Sequence, residues 1–395
     1  MLKKNFLNTA DLLTFIVVSL LICFQFMPVF KGYLGAYPEM ILILTGYFLL
    51  FPIRLDDLKK TLAIILLTVI FFIGANWLQP SSNIIYIYNV FSGTYFVILP
   101  INLIMKKKFN LIKSFFYVFL IAITITQISS IINLTINPML ARDVVFGGVT
   151  GEFATFVSRK NVGGFLLAYI APIITICVYM LVREYKLPKI LFWIHCVLSI
   201  FFIYKTQFTL ALIIYILCIG SLLVFKGDIK KIIIFVVIMI LVFSIVKPLI
   251  SDIVLYMAQN LDSEVLSERF YEIFYLINGV ESNGMAMEMR MERYERSLKI
   301  FLNNPIIGGQ MSGGHSSLLD TAATWGVLGI TLMTAFFSVL FKSLFREYRK
   351  KRYYSCIVLT WFFYFAASLV NPIFSGSTLF VLGMFVVSSI CLIEY

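Results

Sequence analysis

Charge is scarce in this sequence. Asp, Glu, Lys and Arg make up 13% of its 395 residues, about half the ~25% usual in a soluble domain. Histidine occurs twice, as His195 and His315. No Asp-x-Asp occurs, although outer acids such as Asp143, Glu152 and Asp320 exist, so the sequence offers no clustered carboxylates to hold a divalent cation against a diphosphate. Neither a Pro/Gly/Ser linker nor an internal repeat divides the chain. These absences exclude an ordinary soluble domain and argue for one domain over 1–395.

What the sequence has instead is apolar length. Hydrophobic residues are 61% of it and the mean hydropathy is +0.95. Runs that can cross a bilayer as helices lie near 11–30, 38–53, 62–79, 84–105, 112–136, 162–182, 188–204, 207–225, 232–250, 317–341, 353–370 and 373–393. They do not alternate as barrel strands do, and a lone segment in lipid satisfies its backbone only as a helix. The expected fold is an all-α polytopic membrane protein of about 12 transmembrane helices. The first span is long and no small-residue cleavage site follows it, so it reads as a span and not a signal peptide. Cys23, Cys177, Cys196, Cys218, Cys356 and Cys391 all fall inside spans, at spacings that suggest packing residues and neither disulfides nor a metal site. His195 also lies inside a span and reads as packed and hydrogen-bonded.

The few charges give an orientation. With the N-terminus placed in the cytoplasm, 21 of the 32 Lys and Arg fall on inner segments, against 7 of the 20 acidic residues. The net is +14 inside and −2 outside, which together give the overall +12. Every inner loop then obeys the positive-inside rule, with both termini cytoplasmic. The positive balance reports topology and lipid headgroups, and is no sign of nucleic acid.

Two outer segments collect the polar residues, 137–161 and the long 251–316. The second has helical spacing. Met287, Met291, Tyr294, Leu298 and Phe301 step by four and three, an apolar stripe for the bilayer surface or the mouth of the bundle. Arg290, Arg293 and Arg296 ride on the same helix, which Asn304-Pro305 should end. Gly308-Gly309 make a turn, and Gly313-Gly314 deliver His315 to the outer mouth just before the next span. An interfacial histidine with a local hydrogen bond is the plainer reading of His315.

The run from Arg290 to Gly329 resembles the signature of the O-antigen polymerase and ligase superfamily, the Wzy-type polymerases. The matching residues are Arg290, Tyr294, "NPIIG" (304–308), "HSS" (315–317) and "GVLG" (326–329). "VSRKNVGGFL" (157–166) and, more loosely, "YKTQFTLALIIY" (204–215) resemble two further motifs, for about 60 residues in all. The resemblance implies a GT-C-like membrane glycosyltransferase in the bacterial cytoplasmic membrane. It would join oligosaccharide repeats carried on undecaprenyl diphosphate, without metal or cofactor, alongside a chain-length regulator and a flippase.

The residues suit that chemistry. A departing lipid diphosphate needs fixed positive charge, and arginine binds phosphate oxygens bidentately. Arg290 is the first candidate, followed by Arg159, Lys160 and Lys205. Arg293 and Arg296 fit surface ion pairs with helix neighbours better. Lys205 could equally snorkel from a span end. A sugar hydroxyl is a poor nucleophile, and His315 can be its base. Asn161, Tyr294 and Ser316 are candidate acceptor or sugar ligands, although Asn161 could equally cap a helix. A ligase passing polymer to another acceptor shares these motifs. A transporter or lipid flippase would place its charges at mid-membrane instead.

Overall fold

The computed structural model describes residues 9–50, 62, 65–70, 83–141, 151–225, 229–260, 264–278, 286–309 and 313–395. Most of the expected span 62–79 lies outside the described residues, as do 142–150, 261–263, 279–285 and 310–312 of the two expected outer segments.

All regular structure among the described residues is helical. In chain order the helices are α1 (Thr9–Phe26), α2 (Pro28–Leu34), α3 (Tyr37–Leu50), α4 (Asn83–Met105), α5 (Phe109–Ile136), α6 (Gly151–Arg159), α7 (Phe165–Arg183) and α8 (Lys189–Thr206). They continue with α9 (Thr209–Phe225), α10 (Ile229–Asn260), α11 (Glu264–Asn278), α12 (Ala286–Asn303), α13 (Ser317–Phe345) and α14 (Tyr354–Val370). Last, α15 (Gly376–Phe380) passes through a π turn, Val381–Phe385, into α16 (Val386–Glu394).

Six of these segments are long and apolar enough to cross a membrane: Thr9–Phe26, Phe109–Ile136, Phe165–Arg183, Lys189–Thr206, Ser317–Tyr348 and Gly376–Glu394. Four shorter apolar helices accompany them, at Tyr37–Leu49, Asn89–Met105, Thr209–Val224 and Tyr354–Val370. The chain is a helical membrane protein.

Helix α7 and the final helix form its axis. In each, 78% of the most apolar window is buried against protein, compared with 33% in α1 and α13. Helix α7 packs on α8, α9, α14 and α16 through small and branched residues such as Ala168, Ala171 and Ile174. Lipid tails are as apolar as leucine, so close packing and interhelical hydrogen bonds hold such a bundle together. The Thr126 hydroxyl donates to the Phe26 carbonyl at 2.8 Å, and Gln127 Nε2 donates to Ser199 Oγ at 3.0 Å. His195 is buried with Nε2 3.5 Å from Ser199 Oγ, the packed environment expected of it. All six cysteines are free thiols, and five of them are buried.

The helix ends sort into two groups. Asp11 meets Lys108 at 2.8 Å, Glu394 meets Lys351 at 2.7 Å, and Phe109 stacks on Tyr395 at one end. At the other end Lys31 meets Glu39 at 3.0 Å, Arg159 Nε donates to the Gly32 carbonyl at 2.9 Å, and the Tyr294 hydroxyl donates to the Val370 carbonyl at 2.9 Å. His315 belongs to this second end.

Two elements differ from the sequence expectation. Helix α10 does not stop near 250 but runs on to Asn260, with α11 folded back against it. The expected span 317–341 is interrupted at Gly326, whose φ of 58° and ψ of −151° lie outside any helix.

Candidate functional site

The His315 end is organised by α12. Arg290, Tyr294 and Ser297 follow one another at four and three residues, so they share a face. That face turns inward: Ser297 is buried, and Arg290 and Tyr294 are half-buried. The residues of the expected apolar stripe divide between the protein and its surroundings. Tyr294 and Phe301 turn inward, whereas Met291 and Leu298 are exposed and the Met287 side chain lies outside the described residues. The reason is what α12 packs against. Its partner is the first turn of α13 and the loop before it, where backbone N–H groups need acceptors.

Those groups are met in detail. Ser297 Oγ donates to Asp320 Oδ1 at 2.8 Å and accepts from the Gly313 amide at 2.8 Å. Asp320 also accepts from the amides of Gly314 at 3.1 Å and Ser316 at 3.0 Å. Ser316 caps α13 by accepting from the Leu319 amide at 3.2 Å, and its hydroxyl donates to the Ser368 carbonyl at 3.3 Å. A Cβ on Gly313 would stand 2.1 Å from the Arg293 carbonyl oxygen. Glycine there lets the loop lie directly on the backbone of α12, and this fixes where His315 emerges.

Two arginines of α12 frame that position. Arg293 Nη1 lies 2.5 Å from His315 Nε2. Arg290 engages Tyr169 of α7, whose side chain also meets Asn371. Burial lowers the pKa of His315 below 6.5, and the positive charges of Arg293 and then Arg290 lower it further, with Asp320 opposing. The imidazole is thereby held neutral at neutral pH. Burial raises the Tyr294 phenol, which keeps it a donor.

The glycine-rich motifs on either side of His315 turn out to be two halves of one contact. The break at Gly326 removes the helical acceptors for the amides that follow it. The turn after α12 supplies them, with Val327 N donating to the Pro305 carbonyl at 2.8 Å and Leu328 N to the Ile306 carbonyl at 3.3 Å. Gly309 N returns the contact to the Ala323 carbonyl at 2.8 Å. A Cβ on Gly308 would lie 2.3 Å from Thr324 C, and one on Gly326 would lie 2.5 Å from Ile306 C. "NPIIG" and "GVLG" therefore meet backbone to backbone, and Ile306 and Ile307 point outward.

The remaining sequence candidates sit around the N-terminal end of α7. Arg159 donates to Gly32 O and lies over the Tyr33 ring at 5.3 Å; Lys160 lies over Phe156 at 5.6 Å. Asn161 is buried at a φ of 54°; it accepts from the Val29 amide at 3.3 Å and donates to Thr126 at 3.4 Å. Both ends of its amide are thus used within the protein, which joins the end of α6 to α2 and α5. Lys205 is half-buried in the last turn of α8. Phe208, just beyond it, packs edge-on to Phe165, and Phe165 packs on Tyr169 with centroids 4.9 Å apart. An aromatic path therefore links the Lys205 turn to Arg290. Among the described residues, Arg159 and Lys160 make no hydrogen bond to the Arg290–His315 group.

The structure gathers Arg290, Tyr294, His315 and Ser316, and adds Arg293, Ser297, Asp320, Tyr169 and Asn371. Arg293 was expected in a surface ion pair, but the acidic neighbour Glu295 pairs with Lys299 at 2.7 Å instead. Asp320 carried a sequence signal, an acid four residues after the capping Ser316. Tyr169 and Asn371 carried none. Two guanidinium groups beside a neutral imidazole suit an anion with a nearby proton to remove. Asp320, the carboxylate of the cluster, is occupied with backbone amides and is a poor metal ligand in this arrangement. Comparison with known proteins adds nothing to this geometry, since no family model and no curated sequence matches the chain.

Proposed function

We propose that this protein is a metal-independent, Wzy-type polymerase of undecaprenyl-diphosphate-linked oligosaccharide repeats. It would cross the bacterial cytoplasmic membrane about twelve times as a GT-C-like enzyme, with both termini in the cytoplasm and the His315 end outside. Its partners are lipid-linked donor and acceptor, with a chain-length regulator and a flippase in the same process.

One observation carries the reading: a single face of α12 directs Arg290 to Tyr169 and Arg293 to His315. In the proposed reaction, the acceptor sugar hydroxyl attacks the anomeric carbon of the donor. The bond from that carbon to the diphosphate oxygen breaks, and the electron pair leaves with undecaprenyl diphosphate. Arg290 and Arg293 stabilise the charge on it, and His315 takes the hydroxyl proton. The Nε2 lone pair of His315 accepts from Arg293 in the resting structure. A diphosphate that draws Arg293 away frees the base in the same step.

The test is chain length on a gel, in cells lacking the chromosomal copy and supplied with tagged variants. Loss of polymer with accumulation of single lipid-linked repeats is expected in the deletion and in His315→Ala. His315→Gln should fail as well, because glutamine cannot accept the proton. A general base contributes roughly 10²–10⁴-fold in rate. Wild-type polymer in His315→Gln at equal protein level would remove the base role. Unchanged surface polysaccharide in the deletion would remove the polymerase reading.

A further inference from the structure

We propose that a groove between α13 and α14 holds one acyl chain of an anionic glycerophospholipid, with the phosphate on Lys342 and an ester carbonyl on the Ser338 hydroxyl. The groove opens toward the end of the bundle where Lys351 meets Glu394, opposite to His315. It goes beyond the polymerase reading and does not rest on it.

The groove has a volume of about 340 Å³. Two ridges of α13 line it, each stepping by four residues and so running along one face of the helix. Met333, Phe337 and Phe341 form the apolar ridge, and Thr334, Ser338 and Lys342 the polar one. Trp361 and Phe365 of α14 make the facing wall. Phe341 packs against Trp361 with ring centroids 5.4 Å apart, and Phe337 against Phe365 at 5.1 Å. From Met333 to Lys342 the groove runs roughly 14 Å along the helix axis. Its shape takes a slender apolar chain lying parallel to α13.

The polar ridge decides which chain. Ser338 and Lys342 are exposed, and neither side chain has a hydrogen bond or ion pair among the described residues. Elsewhere on α13, Thr331 and Ser343 donate to the carbonyls of Val327 and Val339, each at 2.8 Å. Hydrocarbon tails offer a hydroxyl no acceptor. Lys342 lies one turn from the end of α13, so its stem carries the ammonium to headgroup level. Just beyond it Arg346, Arg349, Lys350 and Arg352 are exposed, with Glu347 the one acid between 342 and 352. Such a basic turn between two membrane helices attracts anionic headgroups. Ser338 stands one turn deeper than Lys342, about 6 Å along the axis. In a glycerophospholipid the ester carbonyls likewise lie just deeper than the phosphate, where the acyl chains begin. A polyprenyl phosphate has the charge but no ester, and leaves Ser338 unmet.

The experiment uses the full-length protein in phosphatidylcholine nanodiscs, titrated with phosphatidylglycerol carrying brominated acyl chains. Bromine quenches indole fluorescence on contact, and comparison with Trp361→Phe separates Trp361 from Trp77, Trp193 and Trp325. In wild type, brominated phosphatidylglycerol should quench Trp361 at a mole fraction about five-fold lower than brominated phosphatidylcholine, the worth of one lysine beside anionic lipid. Lys342→Gln should abolish that preference, and Lys350→Gln, beyond the groove, should keep most of it. Ser338→Ala should weaken binding of ester-linked phosphatidylglycerol about two- to ten-fold, the worth of one hydrogen bond, and leave the ether-linked lipid unchanged. Thermal unfolding checks that each variant is folded. Equal quenching by the two headgroups in wild type overturns the proposal, as does equal loss of preference in Lys342→Gln and Lys350→Gln. Undecaprenyl phosphate displacing the brominated lipid more readily than plain phosphatidylglycerol also overturns it, and makes the groove a polyprenyl site.

Discussion

Arg293 and His315 are joined through a 2.5 Å contact between Nη1 and Nε2, although 22 residues separate them in the chain. A guanidinium only donates, so Nε2 accepts and the imidazole proton sits on Nδ1. The contact also places a positive charge against the ring, the second cause after burial of its lowered pKa. Arg293→Ala removes that charge. The His315 pKa should then rise toward 6.5, and the acid limb of the rate profile should move to higher pH. Activity is lost as pH falls through the pKa of a base, so the variant should fail at a pH where wild type still works. An unmoved acid limb would mean that His315 does not titrate in the rate-limiting step.

Arg290 and Arg296 are on the same helix and have different surroundings. Arg290 faces Tyr169, and Arg296 is exposed. Arg290→Ala should lower polymerisation roughly 10–100-fold, the worth of a charged hydrogen bond. Arg290→Lys should recover little, for lack of the bidentate fork. Arg296→Ala should be near wild type. Equal losses at 290 and 296, with normal amounts of protein in the membrane, would assign α12 a purely structural role.

Gly326 and Gly220 make a contrast in stability. Alanine at 326 places a Cβ 2.5 Å from backbone at a φ of 58°, while alanine at 220 meets nothing within 4 Å. Gly326→Ala should lower the unfolding temperature sharply or prevent insertion, because the paired amides at 327 and 328 would lose their acceptors and each unmet amide in lipid costs several kcal/mol. Gly220→Ala should be neutral or slightly stabilising, by up to about 1 kcal/mol. Size-exclusion profiles and thermal unfolding of the two proteins give the answer.

The orientation is tested with cysteines at Ser263 and Lys350, residues on opposite sides of the proposed membrane topology. In intact cells a membrane-impermeant thiol reagent should label Ser263→Cys and leave Lys350→Cys unlabelled. Because all six natural thiols are buried or half-buried, the background should be low. The reverse labelling pattern would invert the membrane topology.

Much of the architecture was legible because lipid enforces a local rule. A segment in the bilayer must close its own hydrogen bonds, so long apolar runs become helices wherever they fall. That is why the expected runs at 112–136 and 188–204 match α5 and α8 so closely. The broken helix at Gly326 and the extended α10 were not legible. Each depends on a partner segment, and hydropathy along one stretch does not register a partner.

The sequence by itself determined the helical membrane class and an arginine-bearing helix leading through glycines to a lone histidine. Only the tertiary structure decided which arginine reaches that histidine, that Ser297 and Asp320 clamp its loop, and that Tyr169 meets Arg290 and Asn371. The physical reason is one of range. Backbone satisfaction in lipid is settled within a single helix, whereas directing a guanidinium requires side chains from α7, α12 and the loop before α13, brought together only by packing.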